Sequence, residues 1–354
     1  MLKDSNHMDF SLNYLQALSK SVHFETGYSF NNKDLMNDFS SESSSNSGEW
    51  VDDIELENKF NYQEVIHAVY LDINAKLRYF ELQAGMRGEF SENIQNKAQS
   101  GKYNNLFPSL SISRKIDDHI TVFVGSNRRI NRPTIKMLNP FAGEYADNLN
   151  RHRGNPNLLP EYVNSVEIGN RFVFKKISGM TSVYYRDINQ AISRLKTASD
   201  DSALFVTYIN LDRAKFIGGE LSLTYKPFKW WSINSSSNIF YTNLSGEYDN
   251  NSVNNSRTGL TANISNNIKL PSEFSFQVSG YFRSKLPSVM GTYKERYYVD
   301  MAINRKILKN KAQIAFKVSD VFNSYRFGLY IDAVDPNGFR YSQLNKRKNE
   351  VSYS

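Results

Sequence analysis

Apolar and polar side chains alternate with period two along most of this chain, and this pattern constrains the fold more than any other feature. One segment interleaves Phe80, Leu82 and Ala84 with polar residues, and similar segments occupy residues 260–270 and 274–282. Successive side chains of a β-strand point to opposite faces, so each segment has one apolar and one polar face. Apolar residues at helical spacing are not sustained anywhere. The sequence therefore predicts an all-β chain.

The alternating segments are also long. Many of them extend for about ten residues or more, whereas strands of globular proteins average about five or six. A strand that crosses a bilayer at a tilt near 45° needs about 9–11 residues. The sequence contains no run of the roughly 18 apolar residues that a membrane helix requires. These lengths favour strands that cross a membrane.

The connections between the segments are short and long in turn. The short ones lie at residues 18–21, 115–118, 175–178, 226–229, 270–272 and 308–311. The long polar ones cover residues 31–53, 131–160, 245–256 and 324–340. Short turns on one side and long loops on the other are typical of outer-membrane β-barrels, whose turns face the periplasm and whose loops face the exterior. Aromatic residues beside a short turn, namely Phe228, Trp230 and Trp231, fit the interfacial girdle of such a barrel.

A soluble β-sandwich or lipocalin-like barrel would alternate in the same way, with its polar face outward, so alternation alone leaves that alternative open. The pattern predicts about fifteen strands, which is more than a soluble barrel needs for closure. The polar faces are rich in Asn, Ser, Thr and Gly, which suits a wide hydrated lumen. We therefore predict an antiparallel transmembrane β-barrel that occupies residues 1–354 as a single region. A soluble β-rich binding domain is the less favoured hypothesis.

Composition and motifs exclude several kinds of chemistry. The chain has no Cys, which rules out a disulfide scaffold, a thiolate metal site and a cysteine nucleophile. Its 43 Lys and Arg and 36 Asp and Glu give a net charge of +7 that is spread along the chain, so nucleic-acid binding is not indicated. Phosphate-binding glycine loops, nucleophile elbows and zinc-protease motifs are missing from the sequence, and the five His residues stand apart. We predict no enzymatic activity, no cofactor and no metal site.

The most specific motif lies between residues 129 and 161. Its residues are Arg132, Pro133, Asn139, Pro140, Gly154, Asn155, Pro156, Asn157, Leu158, Pro160 and Glu161. In this order and spacing they resemble the TonB-dependent outer-membrane receptors, specifically the β-barrel branch common in Bacteroidota. Residues 83–89 and 320–323 are similar to that family as well, and the resemblance covers essentially the whole chain.

The resemblance implies a 22-stranded barrel of the kind that encloses a plug, of which this chain would hold about fifteen strands. Met1 is followed by no signal sequence, and the chain stops at Ser354 inside an alternating segment. We therefore expect a fragment truncated at both ends. As it stands such a fragment lacks the plug domain and is open at its sheet edges.

The resemblance also implies a function and partners. It implies active uptake of a scarce or bulky ligand, such as a siderophore or a glycan, with energy delivered by TonB through the plug domain. Outer-membrane lipid and lipopolysaccharide would surround the barrel, and a surface lipoprotein is a further expected partner. The alternative hypothesis is a non-transporting outer-membrane barrel, either an adhesin or a structural surface protein.

The basic loop at residues 131–160 supplies the predicted ligand contacts, which are Arg132, Tyr145, Arg151 and Arg153. Guanidinium groups form paired hydrogen bonds with carboxylate or phosphate, and aromatic rings add apolar contact. The competing interpretation is that these arginines bind lipopolysaccharide phosphates or remain hydrated.

Overall fold

The computed structural model describes residues 2–39, 42–44, 50–52, 58–96, 99–140, 150–198, 204–248, 251–331, 342–346 and 350–353. Side-chain exposure is described for residues 5–38, 59–96, 101–140, 153–196, 206–248 and 252–330. Within these ranges the chain is almost entirely β-strand, which confirms the all-β prediction.

The strands are β1 (Leu2–Ala17), β2 (Val22–Phe39), β3 (Glu42–Ser44), β4 (Trp50–Asp52), β5 (Asn58–Lys76), β6 (Glu81–Gln95), β7 (Gln99–Lys115), β8 (Ile120–Asn131), β9 (Asn150–His152), β10 (Glu161–Val173), β11 (Ile177–Ala198), β12 (Leu204–Phe228), β13 (Trp231–Tyr248), β14 (Asn251–Lys269), β15 (Phe274–Arg283), β16 (Leu286–Ser288), β17 (Gly291–Tyr293), β18 (Arg296–Ile307), β19 (Ala312–Ser319), β20 (Arg326–Ile331), β21 (Ser342–Lys346) and β22 (Glu350–Tyr353). A four-residue helix, α1 (Ile135–Leu138), lies between β8 and β9. None of the helical residues in the described ranges forms a helix long and apolar enough to cross a membrane.

One sheet of sixteen strands dominates the described residues. Fifteen of them follow one another in the order β1-β2-β5-β6-β7-β8-β10-β11-β12-β13-β14-β15-β18-β19-β22, and β9 joins this path at β12. Neighbours such as β1 and β2, or β13 and β14, are antiparallel, whereas the short β9 pairs with β12 in parallel. Smaller sheets contain β16-β17-β20-β21 and β3-β4. The fifteen-strand path agrees with the number of strands predicted from the alternation.

The chain divides into two compact units. The first contains Met1–Ile112, Gly125–Asn164 and Ile188–Leu211, and the second contains Ser113–Val124, Ser165–Asp187 and Asp212–Ser354. In the first unit the main buried apolar cluster is small and consists of Phe60, Tyr62, Leu138 and Leu158. In the second unit the buried carboxylate of Asp320 organises the turn after β19, where it accepts backbone N–H groups of Ser324 and Tyr325 at 2.8 and 2.9 Å.

Large apolar side chains remain exposed along one face of the strands in both units. In β5, Val69, Leu71 and Ile73 are 51%, 43% and 39% exposed, and in β13 Ile239 is 57% exposed. Soluble proteins rarely leave contiguous apolar surface of this kind open to water, because burial of apolar area is the main favourable term in folding. These rows are therefore the surface that hydrocarbon covers, and the polar rows lie on the opposite face of the strands.

The hypothesis of a soluble binding domain is wrong. That hypothesis needs Phe274, Phe276 and Phe282 to point into a tight core. In the structure Phe282 is 37% exposed, and the other two rings are only half-buried. Their shared face is the one on which β14 exposes Ile264.

Aromatic side chains gather at the short turn between β12 and β13. Phe228 stacks on Trp230 with ring centroids 5.2 Å apart, and Trp230 stacks on Trp231 at 6.1 Å. Phe228 and Trp230 are about half exposed. Amphipathic rings at a strand end match the girdle that anchors a barrel at the membrane–water interface.

Several predicted loops are shorter than the sequence pattern suggests. Strand β2 continues to Phe39, although residue 31 was the predicted start of a loop, and β20 occupies part of the segment 324–340. Strands β13 and β14 pair as far as Tyr248 and Asn251, so most of the predicted loop 245–256 is a hairpin. Backbone hydrogen bonds extend these ladders regardless of side-chain polarity. The alternation fades where neither face touches hydrocarbon, which is why the pattern ends before the strands do.

Two adjacent residues of β14 test which face meets the bilayer. Ile264 and Asn263 are both exposed, but they point to opposite faces of the strand. We expect Ile264→Arg to lower the free energy of unfolding by about 2–4 kcal/mol, because it places a charge in hydrocarbon. Asn263→Arg is the matched control, and its effect is expected to stay well below that. Urea unfolding in lipid vesicles measures both, and equal effects would contradict the assignment of faces.

Candidate functional site

The segment that precedes β10 is fastened to α1 by backbone hydrogen bonds. The Gly154 N–H donates to the carbonyl oxygen of Asn139, and the Asn155 N–H donates to that of Met137, both at 2.7 Å. This approach needs glycine, because a Cβ atom at position 154 would lie 2.3 Å from the Asn139 oxygen. These two hydrogen bonds, which we call the latch, therefore join the two ends of the predicted loop 131–160.

The Asn155 side chain extends this latch to neighbouring strands. Its Oδ1 accepts the Asn157 N–H at 2.9 Å, and its Nδ2 donates to the Tyr208 carbonyl oxygen at 3.0 Å. The Gln95 side chain donates to the Pro156 carbonyl oxygen at 3.1 Å. The turn is thereby tied to both β12 and β6. A short polar side chain that bonds to nearby backbone is a characteristic turn device of Asn.

Asn210 of β12 holds the next part of the motif. Its side-chain oxygen accepts the Leu159 N–H at 2.9 Å, and its Nδ2 donates to the Leu159 and Gln190 carbonyl oxygens at 2.9 and 2.8 Å. This amide thus satisfies backbone groups that a strand ladder would otherwise pair. These three hydrogen bonds fix the entry into β10.

Glu161, the last motif residue, links three segments. One carboxylate oxygen accepts the Ile192 N–H at 2.5 Å, and the other accepts the Asn131 side-chain amide at 2.6 Å. Leu158 is buried beside Leu138 and Phe60, and Pro133 and Pro160 are buried as well. Gly154, Asn155 and Glu161 thus anchor this segment by hydrogen bonds, and Leu158 anchors it by packing.

A cluster of charged side chains, Arg132 with Glu64, Glu89 and Arg87, lies beside this anchor. The Arg132 guanidinium approaches Glu64 at 3.3 Å and Glu89 at 2.8 Å, and Glu89 also pairs with Arg87 at 2.7 Å. The side chains of Arg132 and Glu89 are only 20% and 10% exposed. The Tyr62 hydroxyl donates a hydrogen bond to the Glu64 carboxylate at 3.3 Å. The cluster is an internal ion-pair network in which each charge has an opposite partner.

A cavity of about 590 Å³ opens next to this cluster. Its lining includes Arg87, Arg128, Arg129 and Arg132, together with Asp72 and Glu89. The Arg128 guanidinium lies over the Tyr162 ring at 5.3 Å. Guanidinium groups are the strongest side-chain donors for carboxylate and phosphate, so this cavity can hold a polar or anionic group.

The four residues predicted to contact a ligand have different environments in the structure. Arg132 lies in the ion-pair network, and the exposed Arg153 donates from Nε to the Pro140 carbonyl oxygen at 3.1 Å. Arg151 belongs to β9, which runs beside β12, and its side chain lies outside the described set. Tyr145 also lies outside the described residues. Ligand contact by these four residues stays a prediction.

The sequence did not predict the side chains that contact Arg132 and the motif. Glu64, Glu89 and Asn210 belong to strands β5, β6 and β12, far from the motif in the chain. In sequence each of them is an ordinary polar member of an alternating strand, so no local signal marks it. Among the residues with described side chains, no group of three or more His, Asp or Glu is placed to hold a metal ion.

The close backbone approach at Gly154 makes a specific substitution costly. Gly154→Ala forces the Asn139 carbonyl away and is expected to destabilise the protein by about 1–3 kcal/mol, since it overpacks a close contact. Gly125→Ala is the matched control, because its new Cβ would meet only the Leu110 oxygen at 3.7 Å. Limited proteolysis within residues 131–160 and urea unfolding measure the effect. Wild-type behaviour of Gly154→Ala would refute the latch.

Removing one member of the ion-pair network tests its structural role. Arg132→Gln leaves Glu64 and Glu89 without their shared cation, at an expected cost of about 2–3 kcal/mol in unfolding free energy. Adding Glu89→Gln to it should restore part of the loss. The exposed Arg153→Gln serves as the control with little expected effect. Unfolding in vesicles measures all three, and an unaltered Arg132→Gln variant would contradict the network.

Comparison with known proteins identifies the fold. The sequence matches the family model described as the outer membrane protein beta-barrel family over residues 2–354. No curated protein matches the chain significantly. The chain spans about half the length of the solved structures that it resembles.

Three of these structures show the extent of the likeness. The FrpB iron transporter from Neisseria meningitidis (F3-3 variant) aligns with 91% of this chain and 52% of its own, at 13% identity and a TM-score of 0.64. The copper transporter OprC aligns with 90% and 51%, at 12% identity and a TM-score of 0.66. The ferric-catecholate import receptor Fiu from E. coli K12 aligns with 99% and 54%, at 12% identity and a TM-score of 0.64.

At these identities the structures establish the fold alone, which is that of a β-barrel. The family model covers nearly the whole chain. This chain is a multi-pass β-barrel of the outer membrane, and it belongs to the outer membrane protein β-barrel family.

Proposed function

We propose that this chain forms the barrel wall of an outer-membrane receptor that actively imports a scarce or bulky ligand. The observation that carries the proposal is the fold, which extends over nearly the whole chain and is shared with proteins whose names describe iron, copper or ferric-catecholate import. The ligand class favoured by these names is a metal chelate, such as a siderophore, and a glycan is the alternative.

The site chemistry supports capture of a polar or anionic ligand. The motif latches the loop 131–160 beside a cavity that contains four arginines, so the loop is held where it can deliver a ligand to the polar face. In this proposal Arg132, Tyr145, Arg151 and Arg153 contribute ligand contacts. The ion pairs with Glu64 and Glu89 would fix the orientation of the Arg132 guanidinium before a ligand binds.

Transport against a gradient needs energy that the outer membrane does not hold. We propose that TonB supplies it from the inner membrane through a plug domain inside the barrel. Lipid and lipopolysaccharide would contact the exposed apolar rows, and a surface lipoprotein would assist with bulky ligands. These partners follow from the receptor hypothesis.

Uptake by intact cells tests the proposal. A strain that lacks the gene and its complemented counterpart are given a radioactive ferric catecholate and, separately, a labelled oligosaccharide. We expect accumulation of one probe only in the complemented strain, and its loss when a protonophore dissipates the proton gradient. Accumulation that persists with the protonophore would contradict active transport. Equal uptake by both strains together with weaker surface adhesion of the deletion strain would favour the adhesin.

A further inference from the structure

Two arginines face each other across the pair of strands β15 and β18. Arg283 is in direct register with Arg296, and two positions along the ladder Tyr281 is in register with Tyr298. These four side chains share one face of the strands. It is the polar face, because Phe282, which lies between Arg283 and Tyr281 on β15, points to the exposed apolar side.

Like charges directly opposite each other destabilise an antiparallel pair, so this arrangement needs a compensating interaction. Within the described ranges neither guanidinium forms an ion pair with a carboxylate. The nearby Glu295 pairs with Lys285 at 3.9 Å instead. Asp300, further along β18, accepts the Asp320 N–H at 2.8 Å and lies 3.9 Å from a lysine. Among the described residues, these two adjacent positive charges therefore have no carboxylate partner.

Tyrosine side chains hold the two guanidinium groups in place. Arg296 donates to the Tyr325 hydroxyl at 3.1 Å and to the Tyr281 hydroxyl at 3.2 Å. Its guanidinium lies 5.4 Å from the Tyr325 ring centroid and 5.2 Å from that of Tyr281. The Arg283 guanidinium lies 6.0 Å from the Tyr293 ring centroid. Tyr281 in turn stacks on a neighbouring tyrosine ring at 5.1 Å.

These contacts leave hydrogen-bond donors unused. The Nε atoms of Arg283 and Arg296 are buried, and in the part of the chain described here neither has a hydrogen-bond partner. The Tyr281 and Tyr325 hydroxyl oxygens accept from Arg296, so their own O–H groups remain able to donate. Buried donors without an acceptor cost free energy. The remaining N–H groups of the two guanidiniums and the two tyrosine O–H groups can donate to an anion with several acceptor oxygens.

The geometry points to a binding site for an oxyanion, a phosphate or a carboxylate carried by a soluble molecule, between Arg283 and Arg296. Two guanidinium groups and two tyrosine hydroxyls converge on the polar face, which is the donor set that such groups prefer. A polar cavity of about 400 Å³ contacts Tyr281 and Tyr298 and is lined mainly by Ser, Thr and Asn. Its hydroxyls and amides suit the uncharged, hydrogen-bonding remainder of such a molecule. The inference deepens the proposed function, on which it rests for transport, by naming the ligand chemistry.

Phosphate titration of the purified protein tests the site without transport. The protein is extracted from outer membranes in detergent and titrated with inorganic phosphate by calorimetry at constant ionic strength. We expect saturable binding that Arg283→Gln and Arg296→Gln each weaken by about tenfold or more. Arg305→Gln is the matched control, because it removes an exposed arginine of the same strand that lies over a phenylalanine ring. Equal binding by all four proteins, or by none, would overturn the inference.

Thermal unfolding separates lost binding from lost folding. Without phosphate, Arg283→Gln should unfold at or above the wild-type temperature, because it removes the repulsion from Arg296. With phosphate, only the wild type and Arg305→Gln should gain stability. If Arg283→Gln does not fold, Arg283→Lys replaces it, and weaker phosphate binding is expected because the charge remains but the planar fork is lost.

Loss of co-purified lipopolysaccharide from the variants, without phosphate binding by the wild type, would mean that the site holds a lipid phosphate. That result would overturn the proposal of a soluble ligand. A protein that binds phosphate but does not import would leave this site intact and refute only transport.

Discussion

The bilayer imposes the constraint on which the rest of this structure depends. Hydrocarbon offers no hydrogen-bond partners, so every backbone N–H and C=O group that crosses it must be satisfied within the protein. A meander of long antiparallel strands meets that demand, and fifteen strands of the described chain follow one continuous hydrogen-bonded path. The same constraint divides the side chains into two populations. Apolar residues such as Leu71 and Ile264 meet lipid, while polar rows on the opposite face are free to carry loops, cavities and charge.

The polar face carries an anchored turn and two different arrangements of charged side chains. On it a turn is anchored by amide and carboxylate groups, among them Asn155, Asn210 and Glu161, which satisfy backbone atoms where strand pairing is interrupted. The arginines of this face have two kinds of partner. Among the described residues, Arg132 pairs with carboxylates, whereas Arg283 and Arg296 contact tyrosine rings and hydroxyls. The first arrangement stabilises a loop, and the second is suited to an external anion.

The sequence predicts the fold well because alternation is a local property. Short turns such as the one after Phe228, and the glycine at position 154, also carry local signals. The predicted loop 31–53 starts too early, because strand pairing continues to Phe39 after the apolar face has ended. The partners of Arg132 were not predictable, since β5 and β6 precede it by many residues. The pairing of Arg283 with Arg296 depends on register across an intervening hairpin, which alternation does not specify.

The most direct test uses the absence of cysteine from the chain, which allows single nitroxide labels to be placed one at a time at residues 260–265 of β14. In proteoliposomes, collision with dissolved oxygen reports contact with lipid, and collision with a polar nickel chelate reports contact with water. We expect oxygen collisions to peak at 260, 262 and 264 and nickel collisions to peak at 261, 263 and 265. Two profiles that rise and fall together, or labels shielded from both reagents, would contradict a wall with lipid on one face and water on the other.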